Sequence, residues 1–100
     1  MDKLEFFKSL GFSEYESKVL ASFAKLKNAT VKEISQDSLV PQNKLYSIIK
    51  NFEKRGILAL IPAETKKYNL INLNTFIHQR INEKKKNLKE LEKTLKNIDS

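Results

Sequence analysis

Residues 40–56 read VPQNKLYSIIKNFEKRG. Within them Leu45, Ile48, Ile49 and Phe52 fall three and four apart, the period of a helix with one buried stripe. The polar residues Gln42, Asn43, Lys44, Tyr46 and Ser47 crowd at the amino end, and Lys50 follows one turn further on. Pro41, with a fixed φ and no amide proton, suits a first helical position. Gly56 stands where a helix commonly ends, and Lys54 and Arg55 fill the last turn, where the helix dipole favours cations. The stretch predicts one helix with two faces. One belongs to a core, and the other offers hydrogen-bonding side chains to something else.

The rest of the chain limits what that partner can be. One hundred residues make a single domain's worth of chain, 40% hydrophobic and 31% charged. Glycine and proline number two each, so helix is the leading expectation. No apolar run approaches the roughly 18 residues of a membrane span, and no signal peptide is evident, so the chain reads as cytoplasmic with no membrane partner. The absence of cysteine removes disulfides, thiolate nucleophiles and zinc knuckles. The net charge is +7, and its placement is uneven. Residues 1–40 hold six lysines and six acids; residues 41–100 hold thirteen Lys or Arg and six acids. A one-sided basic field attracts polyanions.

Outward from the central helix, the elements fall in a recognisable order. Asp2 caps a short helix to about Leu10, ended by Gly11. Ser13 and Glu16 form a capping box that opens a helix to about Leu26, with Val19, Leu20, Phe23 and Leu26 expected inside. Asn28-Ala29 make a turn, and Thr30 and Glu33 form a second capping box for a short helix ending near Ser38. After the central helix, Ile57–Ile61 and Lys66–Asn72 read as two strands joined by a turn at Pro62–Thr65. From about Leu73 the sequence is one long helix. Its apolar positions Ile77, Ile81, Leu88, Leu91, Leu95 and Ile98, with Lys84 counted, step by 4, 3, 4, 3, 4 and 3.

Three helices and a hairpin in this order make a winged helix-turn-helix, mainly α with a small β-hairpin. In that motif the amino end of the second helix of the pair meets the base edges of double-stranded DNA. Gln42 and Asn43 can bond adenine bidentately, and Lys44 can reach guanine or phosphate. Tyr46 and Ser47 share that end, while Lys50 is better placed for the backbone. On the wing, Lys66 and Lys67 are the candidates for phosphate. The heptad seam predicts a dimerisation coiled coil through Ile77, Ile81, Leu88, Leu91, Leu95 and Ile98, offset or antiparallel to keep Lys84 from its twin. Within one chain, Ile77 and Ile81 could instead pack on the domain and leave the remainder in solvent. The expected organisation is a DNA-binding domain over residues 1–72 and a C-terminal helix over 73–100.

The segment from Leu10 to Leu58, followed by KKYNLIN, resembles the DNA-binding domain of the TrmB family of archaeal transcription regulators. The resemblance rests on Leu10 to Glu16, Lys32 to Ile34, Val40-Pro41, Tyr46 and Arg55 to Ile57. It implies a transcription regulator in which Gln42, Asn43, Lys44, Tyr46 and Ser47 face DNA. Leu39 departs from the Gly or small residue usual there; at φ > 0 a leucine would be strained by roughly 1 kcal/mol or more. Larger members carry a C-terminal sugar-binding domain, and this sequence ends before one, so the expectation is a stand-alone DNA-binding domain without a small-molecule effector site.

Catalysis has no foothold, and the expectation is a non-enzyme with no catalytic residue, no metal site and no cofactor. The acids are scattered among Lys partners at helical spacing, and His78 is a lone histidine of the structural kind. Two other readings share the sequence. The same fold can serve as a protein–protein interaction module in a larger assembly without DNA binding. A basic amphipathic tail can dock on an anionic membrane, although apart from Phe76 the seam lacks the aromatic residues such helices carry.

Overall fold

A computed structural model of the chain describes residues 1–99; Ser100, the last residue of the expected C-terminal segment, lies outside them. Five helices and one hairpin follow in the order α1 (Lys3–Ser9), α2 (Glu14–Leu26), α3 (Val31–Ser38), α4 (Gln42–Lys54), β1 (Leu58–Ile61), β2 (Lys67–Leu70) and α5 (Leu73–Asp99).

Local hydrogen bonds set most of the helix boundaries. The Asp2 carboxylate accepts the Glu5 amide at 2.8 Å and opens α1. At α2 the Ser13 hydroxyl accepts the Glu16 amide at 3.1 Å while the Glu16 carboxylate accepts the Ser13 amide at 2.8 Å. Thr30 and Glu33 repeat the device at α3, at 3.1 and 2.9 Å. The chain's two glycines end α1 and α4 in the same way. Gly11 and Gly56 adopt φ of +96° and +72°, which a side chain would resist. At α4 the Gly56 amide donates to Glu53 and the Ile57 amide to Phe52, satisfying two carbonyls the helix leaves open.

Pro41 sits one residue earlier than expected. With ψ of 138° it is the cap of α4, and its carbonyl accepts the Lys44 and Leu45 amides, both at 3.0 Å. Extended ψ at this position turns the chain out of α3 before the helix begins.

The core lies between α2, α3 and α4 and the inner side of the hairpin. Val19, Leu20, Ile34, Val40, Leu45, Phe52 and Ile57 are all fully buried there. Leu26, expected inside, is exposed at the carboxyl end of α2. The strands pair antiparallel with Leu58 opposite Leu70 and Ile61 opposite Lys67. Residue 29, read as a plain turn, also pairs with β2. The Ala29 amide donates to the Tyr68 carbonyl at 3.0 Å, and the Tyr68 amide returns the bond at 2.8 Å. The wing is thereby tied to the loop between α2 and α3. The start of α5 belongs to the same body, because Leu73, Phe76, Ile77 and Ile81 pack against the core. Beyond Ile81 every described residue of α5 is exposed, and the molecule extends over 63 × 23 × 23 Å.

Candidate nucleic-acid interface

The turn between α3 and α4 is strapped by two serines. Ser35 donates its hydroxyl proton to the Val40 carbonyl at 2.8 Å. The Ser38 hydroxyl donates to the Ile34 carbonyl at 2.6 Å and accepts the Val40 amide at 3.2 Å. Between these bonds Leu39 holds φ of 61° and ψ of 17°, the left-handed conformation, with its side chain 82% exposed. The turn thus keeps the left-handed geometry despite a leucine, because its neighbours' hydrogen bonds hold it. Val40 then anchors in the core, and α4 leaves with its orientation fixed.

On α4, Leu45, Ile49 and Phe52 face inward and are buried. Gln42, Asn43, Lys44, Tyr46, Ser47 and Lys50 are all exposed. Helical spacing puts Gln42, Tyr46, Asn43, Lys50 and Ser47 on one continuous strip, with Lys44 to its side. Nothing in the protein's interior claims these groups. The Gln42 side-chain amide donates to the Tyr46 hydroxyl at a long 3.4 Å, and Ser47 donates to the Lys44 carbonyl at 3.0 Å. Tyr46 is 58% exposed. A long, solvent-facing hydrogen bond of this kind exchanges readily for one to a ligand.

Glu53, which the sequence reading passed over, lies seven residues beyond Tyr46 and so two turns along the same strip. Its proximity shows in Tyr68, whose hydroxyl is pushed up in pKa first by burial and then by Glu53 and Tyr46. The heptad spacing from Tyr46 was the available signal. Its negative charge opposes phosphate only at that point of the strip, since Lys54 and Arg55 follow it at the end of α4.

The wing lysines divide. Lys66 is exposed, whereas Lys67 is half-buried. Lys67 lies close enough to Glu33 to help hold that carboxyl below its ordinary pKa, after the larger effect of the hydrogen bonds from the Thr30 backbone and side chain. The wing tip, Pro62 to Thr65, is exposed. Along α5 the six seam residues also separate: Ile77 and Ile81 pack on the chain's own core, while Leu88, Leu91, Leu95 and Ile98 are 58% to 75% exposed.

Residues 7–74 match the family model described as sugar-specific transcriptional regulator TrmB. The chain belongs to the TrmB family. No curated protein matches the sequence. Among solved structures, that of TrmBL2, an archaeal chromatin protein, described as showing a novel mode of DNA binding, superposes with a TM-score of 0.70 at 20% identity, over 97% of this chain and 37% of that one. Apo wild-type MarR from E. coli superposes at 0.62 with 20% identity, over 95% of this chain and 84% of MarR. The MarR-family regulator SPO1453 from Silicibacter pomeroyi DSS-3 gives 0.62 at 15% identity, over 87% of this chain. The chain spans 65% of that regulator's length, and little more than a third of TrmBL2's. These likenesses carry the fold: a winged helix followed by a long helix. Among the described residues, no helix of this TrmB-family chain is long and apolar enough to cross a membrane.

Proposed function

We propose that this TrmB-family chain is a cytoplasmic transcription regulator that binds double-stranded DNA sequence-specifically as a homodimer. The observation that carries the reading is the amino half of α4, whose polar strip is exposed and whose orientation is fixed by the serine-strapped turn. Gln42 and Asn43 read base edges, with Tyr46 and Ser47 beside them. Lys44, Lys50 and Lys66 meet phosphates, and Lys67 does so less, being shared with Glu33. Leu88, Leu91, Leu95 and Ile98 supply the dimer contact, with Ile77 and Ile81 fixing the root of the helix. A twofold dimer then addresses half-sites about 10 base pairs apart, or a multiple of that.

Selection from random duplexes, followed by a footprint and a salt titration, tests this directly. The expected outcome is a symmetric site with affinity that falls by orders of magnitude as salt rises. A selection that enriches nothing, with no salt-dependent binding of any duplex, would sink the reading and leave the same fold as a protein-interaction module.

A further inference from the structure

Arginine is scarce in this chain: of nineteen basic residues only Arg55 and Arg80 are arginine, and the other seventeen are lysine. The fold brings these two together. Arg55, the cap residue at the end of α4, lies 5.5 Å from the centre of the Phe12 ring and 5.0 Å from that of Phe76. Arg80, in the third turn of α5, lies 5.5 Å from each of the same rings. Lysine would serve for charge alone; arginine adds a planar face that stacks on the rings and a fork of donors at its edge.

Those donors are underused within the protein. The Arg55 Nη1 atom is 3.8 Å from Glu16 and the Arg80 Nη1 atom 4.0 Å from Glu83, both beyond the roughly 2.7–2.9 Å of a charge-assisted hydrogen bond. Glu16 is already engaged by the Ser13 amide, through its other carboxylate oxygen. Arg55 donates to the Asn51 side chain at 3.3 Å. The Arg80 Nε is buried and has no acceptor among the described residues. Between the two arginines lies a cavity of about 160 Å³ lined also by Phe76, Gln79 and Glu83.

We propose that Arg55 and Arg80 form a binding site for a small oxyanion, a free phosphate or carboxylate group, at the joint between α4 and α5. The two guanidiniums supply paired donors, Gln79 an amide, and the phenylalanines a floor of low dielectric that strengthens both contacts. Glu83 is the opposing charge; its side chain is 67% exposed and can turn away into solvent. An occupied site bridges the end of α4 to α5 and fixes the angle at which the long helix departs. The site stands whether or not α4 binds DNA.

The two arginines make the test direct, because the full chain gives just two arginine Nε–Hε resonances. Inorganic phosphate, and separately acetate, are titrated against chloride at matched ionic strength. The expected result is that both resonances move along one saturating curve with at least one of the two oxyanions. Arg80→Lys, which keeps the charge and loses the fork, should weaken that binding at least about tenfold, while Lys93→Ala on the distal part of α5 leaves it unchanged. Shifts that merely track chloride, or that never saturate, overturn the proposal, as does movement with duplex DNA but with neither free oxyanion. The wild-type titration decides even if a variant folds poorly.

Discussion

Helices α4 and α5 carry the same kind of apolar stripe, with hydrophobic residues three and four apart, yet their surroundings differ. On α4 the stripe of Leu45, Ile49 and Phe52 is buried by the chain itself. On α5 the stripe is met by the core only at Ile77 and Ile81, and Leu88, Leu91, Leu95 and Ile98 are left exposed. The difference is one of reach. Helix α4 is enclosed by α2, α3 and the hairpin, whereas α5 rises away at 1.5 Å per residue and soon passes everything it could touch. Periodicity marks which residues want a partner, and does not say whether that partner lies in the same molecule.

The largest expected effects test this directly. Phe52→Ala should cost about 3–5 kcal/mol, enough to unfold much of the population, because it empties a closed core. That cost is independent of protein concentration. Leu91→Ala should cost the isolated chain less than about 0.5 kcal/mol, as exposed substitutions do. In a dimer its cost grows with concentration, since association adds to apparent stability by mass action. Chemical denaturation of both variants at micromolar and submillimolar concentration separates the two cases. A Leu91→Ala penalty that is large and the same at both concentrations, in a chain that sediments as a monomer, would mean α5 folds back on its own chain.

A second contrast lies within α4, between its amino end and its middle. Gln42→Ala or Asn43→Ala should lower discrimination between matched and mismatched duplexes by about 1–3 kcal/mol. Lys50→Ala should instead weaken all duplexes alike and reduce the salt slope by about one. Binding curves on a matched and a scrambled duplex at two salt concentrations distinguish the roles. Uniform loss in all three variants would remove the assignment of Gln42 and Asn43 as readers.

What the sequence reveals follows the same division between local and distant. The capping boxes at Ser13 and Thr30 and the ends at Gly11 and Gly56 are legible because each is a contact among residues close together in the chain. So is the exposed strip on α4, which follows from helical spacing and the short turn before it. The Ala29–Tyr68 pairing joins residues far apart through a single rung, too short to leave an alternating pattern. The meeting of Arg55 and Arg80 over Phe12 and Phe76 is likewise invisible until three elements are placed. Leu26 misled because its spacing fits the α2 stripe, although that stripe runs past the edge of the core there. Pro41 was displaced by one residue because both the cap and the first helical position tolerate its missing amide.

The braces behind α4 should also respond to acid. Asp37 on α3 accepts from Lys25 at 2.8 Å and from Ser22 at 2.7 Å, tying α2 to α3. The Lys25 hydrogen bond, then that of Ser22, holds the Asp37 carboxyl below its ordinary pKa. A depressed folded-state value means stability that is present above the unfolded pKa and is lost as pH falls through the folded one. Wild type should therefore exceed Asp37→Asn in stability at neutral pH, and the gap should close in strong acid. Denaturation midpoints across the acid range measure it; a gap that persists unchanged there would show that packing, not charge, sets the contribution. The distal lysines of α5, such as Lys85, Lys89 and Lys93, are exposed, and their replacement should leave this acid response unaltered.

The smallest effect concerns Leu39, the residue that joins the two helices of the motif. Its left-handed backbone costs a leucine about 1–2 kcal/mol, and its side chain, 82% exposed, recovers little by burial. Glycine would relieve that strain but lose more backbone freedom on folding, offsetting roughly half the gain. Leu39→Gly should then stabilise the fold by about 0.5–1 kcal/mol, readable as a raised denaturation midpoint with unchanged slope. If the substitution leaves stability flat or lowers it, the serine straps are not holding Leu39 against its preference. A gain in stability accompanied by weaker duplex binding would give the protruding leucine a place at the interface, beside the amino end of α4. Unaltered binding would confine Leu39 to the geometry of the turn, and leave recognition to the strip that Gln42 begins.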